Sequence, residues 1–503
     1  MRPSRPLVTT RLRASSAVLA VILLTLLTTA FAAARTLALA SSAPEIGAPA
    51  PVAPGAASLA GAWNGRLSAA LRLVLHFERG AAGEWVAKLD SPDQGAIGLP
   101  LEVVLATPDS VRVVLTQAAA WFEGRLDRAS GRLVGTWNQG GERAELTLEH
   151  GEIARASRPQ HPVPPFPYAS DSITFRNSRA GLTLAGTLTR PRDRAPHAAV
   201  VLVSGSGQQS RDEEVFEHKP FLVIADRLTR AGFAVLRYDD RGVGGSGGNP
   251  ALATGIDNAS DVEAAVRYLR SRPEVDARRI AIVGHSEGGI LAPWVAARDS
   301  QIAALVLLAG TGVPGDSVLA TQTEALMRSA GLAREEIARR MAPNRAIHRE
   351  IKSGASPESV FVRAERTLRV FARTLSAAEL QAVGGEERFA RDAAEQSRLP
   401  WLRWFIAHDP AVDLRRVRCP VLALNGELDL QVDASINLPA IEAALRAGGN
   451  RDVTMARMPG LNHLFQTATS GAMSEYSTIE ETLAPAVLDR MTAWLVARLE
   501  SPR

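Results

Sequence analysis

Two regimes of hydrophobic patterning divide the chain. Between residues 59 and 149 apolar and polar positions alternate in short runs, such as 71–77, 111–115 and 142–148, broken by Gly, Pro, Asp and Ser. A period of two with turn signals at roughly 10-residue spacing predicts short antiparallel strands closing into a small barrel or sandwich. Trp63 and Trp137 stand in similar Gly-x-Trp-Asn contexts near its ends and are expected to close it. After a proline-rich stretch at 157–170, the pattern changes to apolar runs at 198–203, 233–238, 302–308, 420–425 and 452–458. Runs such as 198–203 and 302–308 have no polar face, as strands covered on both sides require, and helical patterns at 257–270 and 288–298 fall between the runs. The expected fold class is therefore α/β, a doubly wound, mostly parallel sheet preceded by the β-domain. Between 311 and 418 the alternation stops, and mainly helical, Arg/Glu/Ala-rich sequence forms an insertion expected to cap the cleft. Trp401, Trp404 and Phe405 within it either line a pocket or form the cap's own core.

The start of the chain modifies this picture. Arg2, Arg5, Arg11 and Arg13 precede an apolar run, 17–27, followed by small residues to Ala40, with no acid before residue 41. That is the pattern of a secretory signal, with Ala38-Leu39-Ala40 as the best cleavage site and Ala32-Ala33-Ala34 as the alternative. An uncleaved N-terminal anchor is the competing expectation. The implied layout is a signal peptide at 1–40, a flexible Ala/Pro-rich segment at 41–57, a β-domain at 58–150, a proline-rich linker at 151–170, and the α/β domain at 171–503.

The formal charge of +4 shrinks on the same inspection, because residues 1–40 hold five of the 57 basic side chains and none of the 53 acidic ones. Without them the balance is 52 against 53, and nothing suggests nucleic acid as a partner. The lone cysteine, Cys419, cannot form an intrachain disulfide and is expected to be a packed residue.

Candidate chemistry centres on residues 280–289, Ile-Ala-Ile-Val-Gly-His-Ser-Glu-Gly-Gly. An apolar strand runs into Gly284-His285-Ser286-Glu287-Gly288 and a helical pattern follows. The G-x-S-x-G spacing places Ser286 at the apex of a sharp strand-to-helix turn, with glycines where a Cβ would collide. Such a serine needs a base, and the base an orienting acid, in the chain order Ser, acid, His for a sheet of this kind. Asp429, in the loop after the run at 420–425, is the acid, with Glu427 and Asp433 as competitors. His463, in Pro459-Gly460-Leu461-Asn462-His463 after the last apolar run, is the base. His285 is expected to point away from the site, and His218 to lie in a loop able to reach the cleft. His408 is expected to pack. The oxyanion would be held by the backbone N–H of Glu287 and a second from Ser206, with Gly207 as fallback, in the loop after the run at 198–203.

Gly242, Gly244 and Gly247 spell G-x-G-x-x-G, the spacing of a dinucleotide-binding turn. Such a turn requires a helix to open at the glycines, whereas Asn249-Pro250 intervenes. A tight loop in which Asp240 and Arg241 pair and brace the site is the simpler expectation. No HExxH or clustered Cys/His pattern is present, so neither metal nor cofactor is expected.

The runs 203–207 (Val-Ser-Gly-Ser-Gly), 218–220 (His-Lys-Pro), 238–242 (Tyr-Asp-Asp-Arg-Gly), 284–289 and 461–465 (Leu-Asn-His-Leu-Phe) occur in order. From about Asp171 onward the chain resembles a bacterial α/β-hydrolase family described as serine-aminopeptidase-like or dienelactone-hydrolase-like, which includes carboxylesterases acting on short acyl esters. The resemblance implies a Ser286, Asp429, His463 triad on an α/β-hydrolase fold, with a small-molecule substrate. It leaves ester against peptide open. An ester is favoured because no acidic anchor for a charged amino terminus stands out. A serine exopeptidase and a non-catalytic binding protein are the alternatives. Export to the periplasm or beyond is the expected localisation, with no membrane contact beyond the signal segment.

Overall fold

The computed structural model describes residues 59–499 apart from 69–70, 93–95, 119, 140–141, 153–156 and 194–195. The expected signal peptide at 1–40 and flexible segment at 41–57 lie outside the described residues.

Eight antiparallel strands, β1 (Gly61–Ser68), β2 (Leu71–Arg79), β3 (Trp85–Ser91), β4 (Ala96–Ala106), β5 (Ser110–Leu115), β6 (Ala120–Asp127), β7 (Arg132–Gln139) and β8 (Glu142–His150), form a closed barrel. Alternation explains it: in β6 the residues at 120, 122, 124 and 126 are buried, while those at 123, 125 and 127 face solvent. Closure pairs β1 with β8 through Trp63 and His150, whose rings meet edge to face at 4.9 Å. Trp63 also donates its indole N–H to the Leu59 carbonyl at 2.8 Å. Trp137, by contrast, lies within β7 opposite Phe122 and Ala144, buried in the barrel core and away from the seam.

The second sheet has eight strands in the order β16-β15-β14-β13-β11-β12-β10-β9. These are β9 (Ala169–Asn177), β10 (Leu182–Arg190), β11 (His197–Val203), β12 (Ala234–Tyr238), β13 (Val275–His285), β14 (Ala304–Leu308), β15 (Val421–Gly426) and β16 (Val453–Met458). From β12 across to β16 every pairing is parallel; β9 and β10 add the antiparallel edge. Along β11, Ala198, Val200 and Leu202 bury on one face and Ala199, Val201 and Val203 on the other, which is why the run reads as unbroken hydrophobic sequence. Helices α1 (Pro220–Arg230) and α12 (Pro485–Leu499) cover the first face. Helices α2 (Gly255–Arg270), α3 (Gly288–Ala296) and α11 (Ala434–Ala447) cover the second. This is the α/β-hydrolase arrangement.

Between β14 and β15 lie α4 (Gly315–Ser329), α5 (Arg334–Lys352), α6 (Pro357–Ala372), α7 (Ala377–Ala382), α8 (Glu386–Glu395), α9 (Pro400–Ala407) and the short α10 (Ala411–Leu414). The cap has an apolar centre of its own, built on Met327, Met341, Leu368, Phe371 and Phe389. Phe405, Trp404 and Trp401 pack with Ile290 and Val318 at the seam between the cap and α3, and Trp401 also lines a cavity described below. No helix among the described residues is long and apolar enough to cross a membrane.

The proline-rich stretch is docked on the α/β domain rather than free of it. Arg158 donates to the carbonyls of Ile479 at 2.8 Å and Phe216 at 2.9 Å. The Gln160 side chain both donates to and accepts from the Leu483 backbone.

Candidate active site

Parallel strands deliver their following loops to one edge of the sheet, the carboxyl edge, where ligand sites of open α/β sheets form. Ser206 follows β11, Ser286 follows β13, Asp429 follows β15 and His463 follows β16. Ser286 has φ of +52°, a left-handed conformation unusual for a residue with a Cβ. Its amide donates to the Leu308 carbonyl at 2.9 Å, tying the turn to the end of β14. The flanking glycines permit the turn. A Cβ on Gly284 would lie 2.1 Å from the Gly288 carbonyl oxygen, and one on Gly288 would lie 2.2 Å from that of Val203.

His463 and Asp429 come together: Nδ1 of the buried imidazole lies 2.8 Å from Asp429 Oδ2. A carboxylate only accepts, so Nδ1 carries the proton and Nε2 presents a lone pair. The other carboxylate oxygen of Asp429 accepts the amides of Gln431 and Val432, each at 2.8 Å. The competing acids have other partners. Glu427 extends toward Arg457 at 3.4 Å, and Asp433 caps α11 by accepting the Ser435 amide at 2.7 Å. The His463 loop is braced by Asn462, whose side-chain oxygen accepts the amides of Leu464 and Gln466.

Beside the nucleophile, a Cβ built on Gly205 would come within 3.2 Å of Ser286 Cβ, so the loop after β11 abuts the elbow. The Gly205 amide is already committed, donating to Glu213 Oε1 at 2.6 Å. Among the described residues the amides of Ser206 and Glu287 donate to no protein acceptor.

The other histidines divide as follows. His218 is buried in contact with Thr482, Tyr476 and Gln466, and burial pushes its imidazole down to about 4. His408 stacks on Trp404 with ring centroids 4.7 Å apart. His285 is part of the site's frame: its Nδ1 lies 2.9 Å from Glu213 Oε1 and its Nε2 3.2 Å from the His463 carbonyl oxygen. No sequence signal marked Glu213, which lies 72 residues from its partner in a loop without a motif.

The expected Asp240–Arg241 pair does not form. Arg241 reaches back to Asp261 on α2 at 2.8 Å, while Asp240 accepts the Ser204 hydroxyl at 2.8 Å and the Gln209 amide at 3.0 Å. Asp240 faces the β11 loop, and Arg241 finds a deeper acid. No helix opens at the glycines of this loop, since α2 starts at Gly255 behind a Thr254 cap.

A cavity of about 110 Å³ adjoins the oxyanion loop, lined among others by Gly205, Gly207, Asp240, Asn258, Glu287 and Trp401. Glu287 accepts the Trp401 indole N–H at 2.8 Å, and burial pushes its carboxyl up to about 7. Burial also raises Asp240 well above the usual carboxylate range, with the nearby Glu287 and Glu213 adding to the effect. Asp240 and Glu287, distant in sequence, both line this cavity. Cys419 sits before β15, and burial pushes its thiol up to about 12. Among the described residues no group of three or more His, Cys, Asp or Glu side chains is placed to hold a metal ion.

A sequence model of the family described as serine aminopeptidase, S33, matches residues 194–467, more than half of the chain. Esterase EstD of Thermotoga maritima is 25% identical over 378 residues, covering 75% of this chain and 79% of that protein. An uncharacterized protein of Pseudomonas aeruginosa is 31% identical over 135 residues, 27% of this chain and 35% of that one. Among solved structures, a Pyrococcus furiosus esterase is 14% identical with a TM-score of 0.40, covering 69% of this chain and 100% of that chain.

Proposed function

The chain belongs to the serine aminopeptidase (S33) family of hydrolases, and on that premise we propose that it is a serine carboxylesterase acting on short acyl esters. Ser286 attacks the ester carbonyl as His463 Nε2 takes its proton, and the amides of Glu287 and Ser206 hold the oxyanion. His463 then protonates the departing alcohol. In the second half-reaction it activates water, which releases the acid from Ser286. Asp429 fixes the imidazole tautomer and stabilises its cation. Each oxyanion donor contributes about 10²–10³ in rate.

The observation that carries this reading is the 2.8 Å contact of His463 Nδ1 with a carboxylate already fixed by two backbone amides, which leaves Nε2 as the free base. The adjoining cavity, with Leu291, Leu399 and Trp401 in its lining, offers apolar surface to an acyl chain.

The test is a fluorophosphonate probe, with the labelled residue mapped by mass spectrometry and His463→Ala run in parallel. Label on Ser286 that disappears in the variant supports the reading. A folded wild-type protein that takes no label overturns it and favours a binding protein.

One observation favours an aminopeptidase instead: Asp240 and Glu287 beside the oxyanion loop could receive a substrate ammonium. Against it, burial holds both carboxyls toward their neutral form. Aminoacyl anilides turned over as fast as esters would decide for the peptidase. We further propose that the enzyme is exported, on the basic start and apolar run of residues 1–27. N-terminal sequencing of the mature protein would find residue 41 first, and a retained start would favour the anchor.

A further inference from the structure

The reaction above does not use the buried ionisable pair Glu213 and His285, exposed by only 3% and 8%. His285 immediately precedes Ser286. Its Nδ1 faces Glu213 Oε1 at 2.9 Å and its Nε2 faces the His463 carbonyl oxygen at 3.2 Å. Carboxylate and carbonyl oxygens are acceptors only. A neutral imidazole has a single N–H, so one of these two contacts would set lone pair against lone pair. Only the imidazolium donates to both. Glu213 Oε1 in addition accepts the Gly205 amide at 2.6 Å, as an ionised carboxylate does. The loop that presents it adopts left-handed backbone at Glu213, Phe216 and Glu217, with φ of +50°, +51° and +64°. Such backbone is unfavourable for residues with a Cβ and persists where the surroundings hold it.

We propose that His285 is held as an imidazolium by Glu213, and that the pair is a positioning device joining the oxyanion loop, the nucleophile elbow and the His463 loop in one hydrogen-bonded chain. The proposal rests on the reading of Ser286 and His463 as nucleophile and base. From Gly205, through Glu213 and His285, to the carbonyl of His463, each link is a direct contact. The His285 and His463 rings lie 4.9 Å apart, so a shift of one moves the other.

The groups facing His285 favour its charge. Glu213 approaches from the β11–α1 loop, Asp429 from the loop after β15, and His463 from the loop after β16; Asp240, after β12, faces Glu213. Burial alone works against the cation. The Glu213 carboxylate outweighs it, aided by Asp429 and the His463 carbonyl, and raises His285 above the ordinary imidazole value. With the pH rising through that value, His285 loses one proton and one of its two hydrogen bonds. The base loosens, and kcat falls on an alkaline limb while KM holds.

The test combines a spectroscopic and a kinetic reading of the full chain. Histidine-labelled ¹⁵N NMR, with His285 assigned by its loss in His285→Gln, is expected to show both ring nitrogens protonated at neutral pH. Deprotonation should follow the alkaline limb of kcat. His285→Gln still donates to one acceptor but cannot titrate. It is expected to lower kcat about 10- to 100-fold, as misplacement of a catalytic group does, with KM little changed and the limb gone. Glu213→Gln, near-isosteric but uncharged, is expected to move the limb to lower pH. A single N–H on His285 at neutral pH, or a limb unchanged in both variants, overturns the proposal. Absence of fluorophosphonate labelling at Ser286 would overturn the esterase reading instead, and the NMR result would still stand by itself.

Discussion

Ser286, Asp429 and His463 each occupy a position that their own side chain does not choose. The strained φ of +52° at Ser286 is permitted by the glycines around it, and the tautomer of His463 is set by a carboxylate pinned by two amides. Ser286→Ala is therefore expected to lower kcat by about 10⁶, and Asp429→Asn, which releases the tautomer, by about 10⁴; single-turnover assays on one ester would check both. Glu287 supplies a stability prediction. Its carboxyl, ordinarily near 4.5, is pushed up to about 7 by burial. A folded-state value above the unfolded one gives a stabilisation that is complete below about 4.5 and lost as the pH rises through about 7. Glu287→Gln keeps an acceptor for the Trp401 indole and removes this titration. It should match the wild type in urea unfolding near pH 4 and exceed it near pH 8, by up to about 3 kcal/mol. Equal stabilities at both pH values would count against a neutral buried carboxyl. The turns that carry Ser286 and His463 were legible in sequence because each has few rivals. Asp429 was not separable from Glu427 and Asp433, since all three fall within seven residues of chain and only their partners differ. Glu213 was illegible, because its partner is distant in sequence and nothing local announces it.

At the scale of elements, β14 and residues 198–203 of β11 were readable because both their faces are buried, and apolar residues therefore fill every position. Their ends were less so. The strand carrying the nucleophile starts at Val275, not near Ile280, because Val275 finds a partner in His197 across a register shift; pairing of this kind leaves no trace in hydropathy. The cap read as helical, but Trp401, Trp404 and Phe405 could not be sorted. All three pack at the seam with α3, and Trp401 also lines the cavity. A close element contact beside the site is the crossing of α3 beneath β11, where a Cβ on Gly288 would press on the Val203 carbonyl at 2.2 Å. Backbone meets backbone there, so no rotamer change relieves it. Gly288→Ala is expected to destabilise the α/β domain by about 3 kcal/mol or more and to abolish labelling of Ser286. A variant that melts with the wild type and labels normally would mean that α3 can move away at little cost.

Over the whole molecule, the barrel and the α/β domain have separate apolar cores, so the segment between them decides what can be removed. Composition alone reads residues 151–170 as a spacer, and prolines there would make it a stiff one. The contacts divide it differently. Arg158 and Gln160 bind the backbone of residues 479–483, which run directly into α12. The Ala484 amide donates in turn to Phe465, two residues from His463. Residues 157–168 thus belong mechanically to the α/β domain and help to fix the chain behind its base. At about 1 kcal/mol net for each hydrogen bond, their loss would remove several kcal/mol. A chain beginning at residue 157 is expected to keep the melting temperature of the α/β transition and the full rate of ester turnover. One beginning at residue 169 should melt several degrees lower and lose turnover in proportion to the loosened His463 loop. Differential scanning calorimetry and initial rates on the two chains would separate these outcomes. Identical melting would show that the stretch is a tether after all, and that the base loop is held by Asn462 and His285 without it.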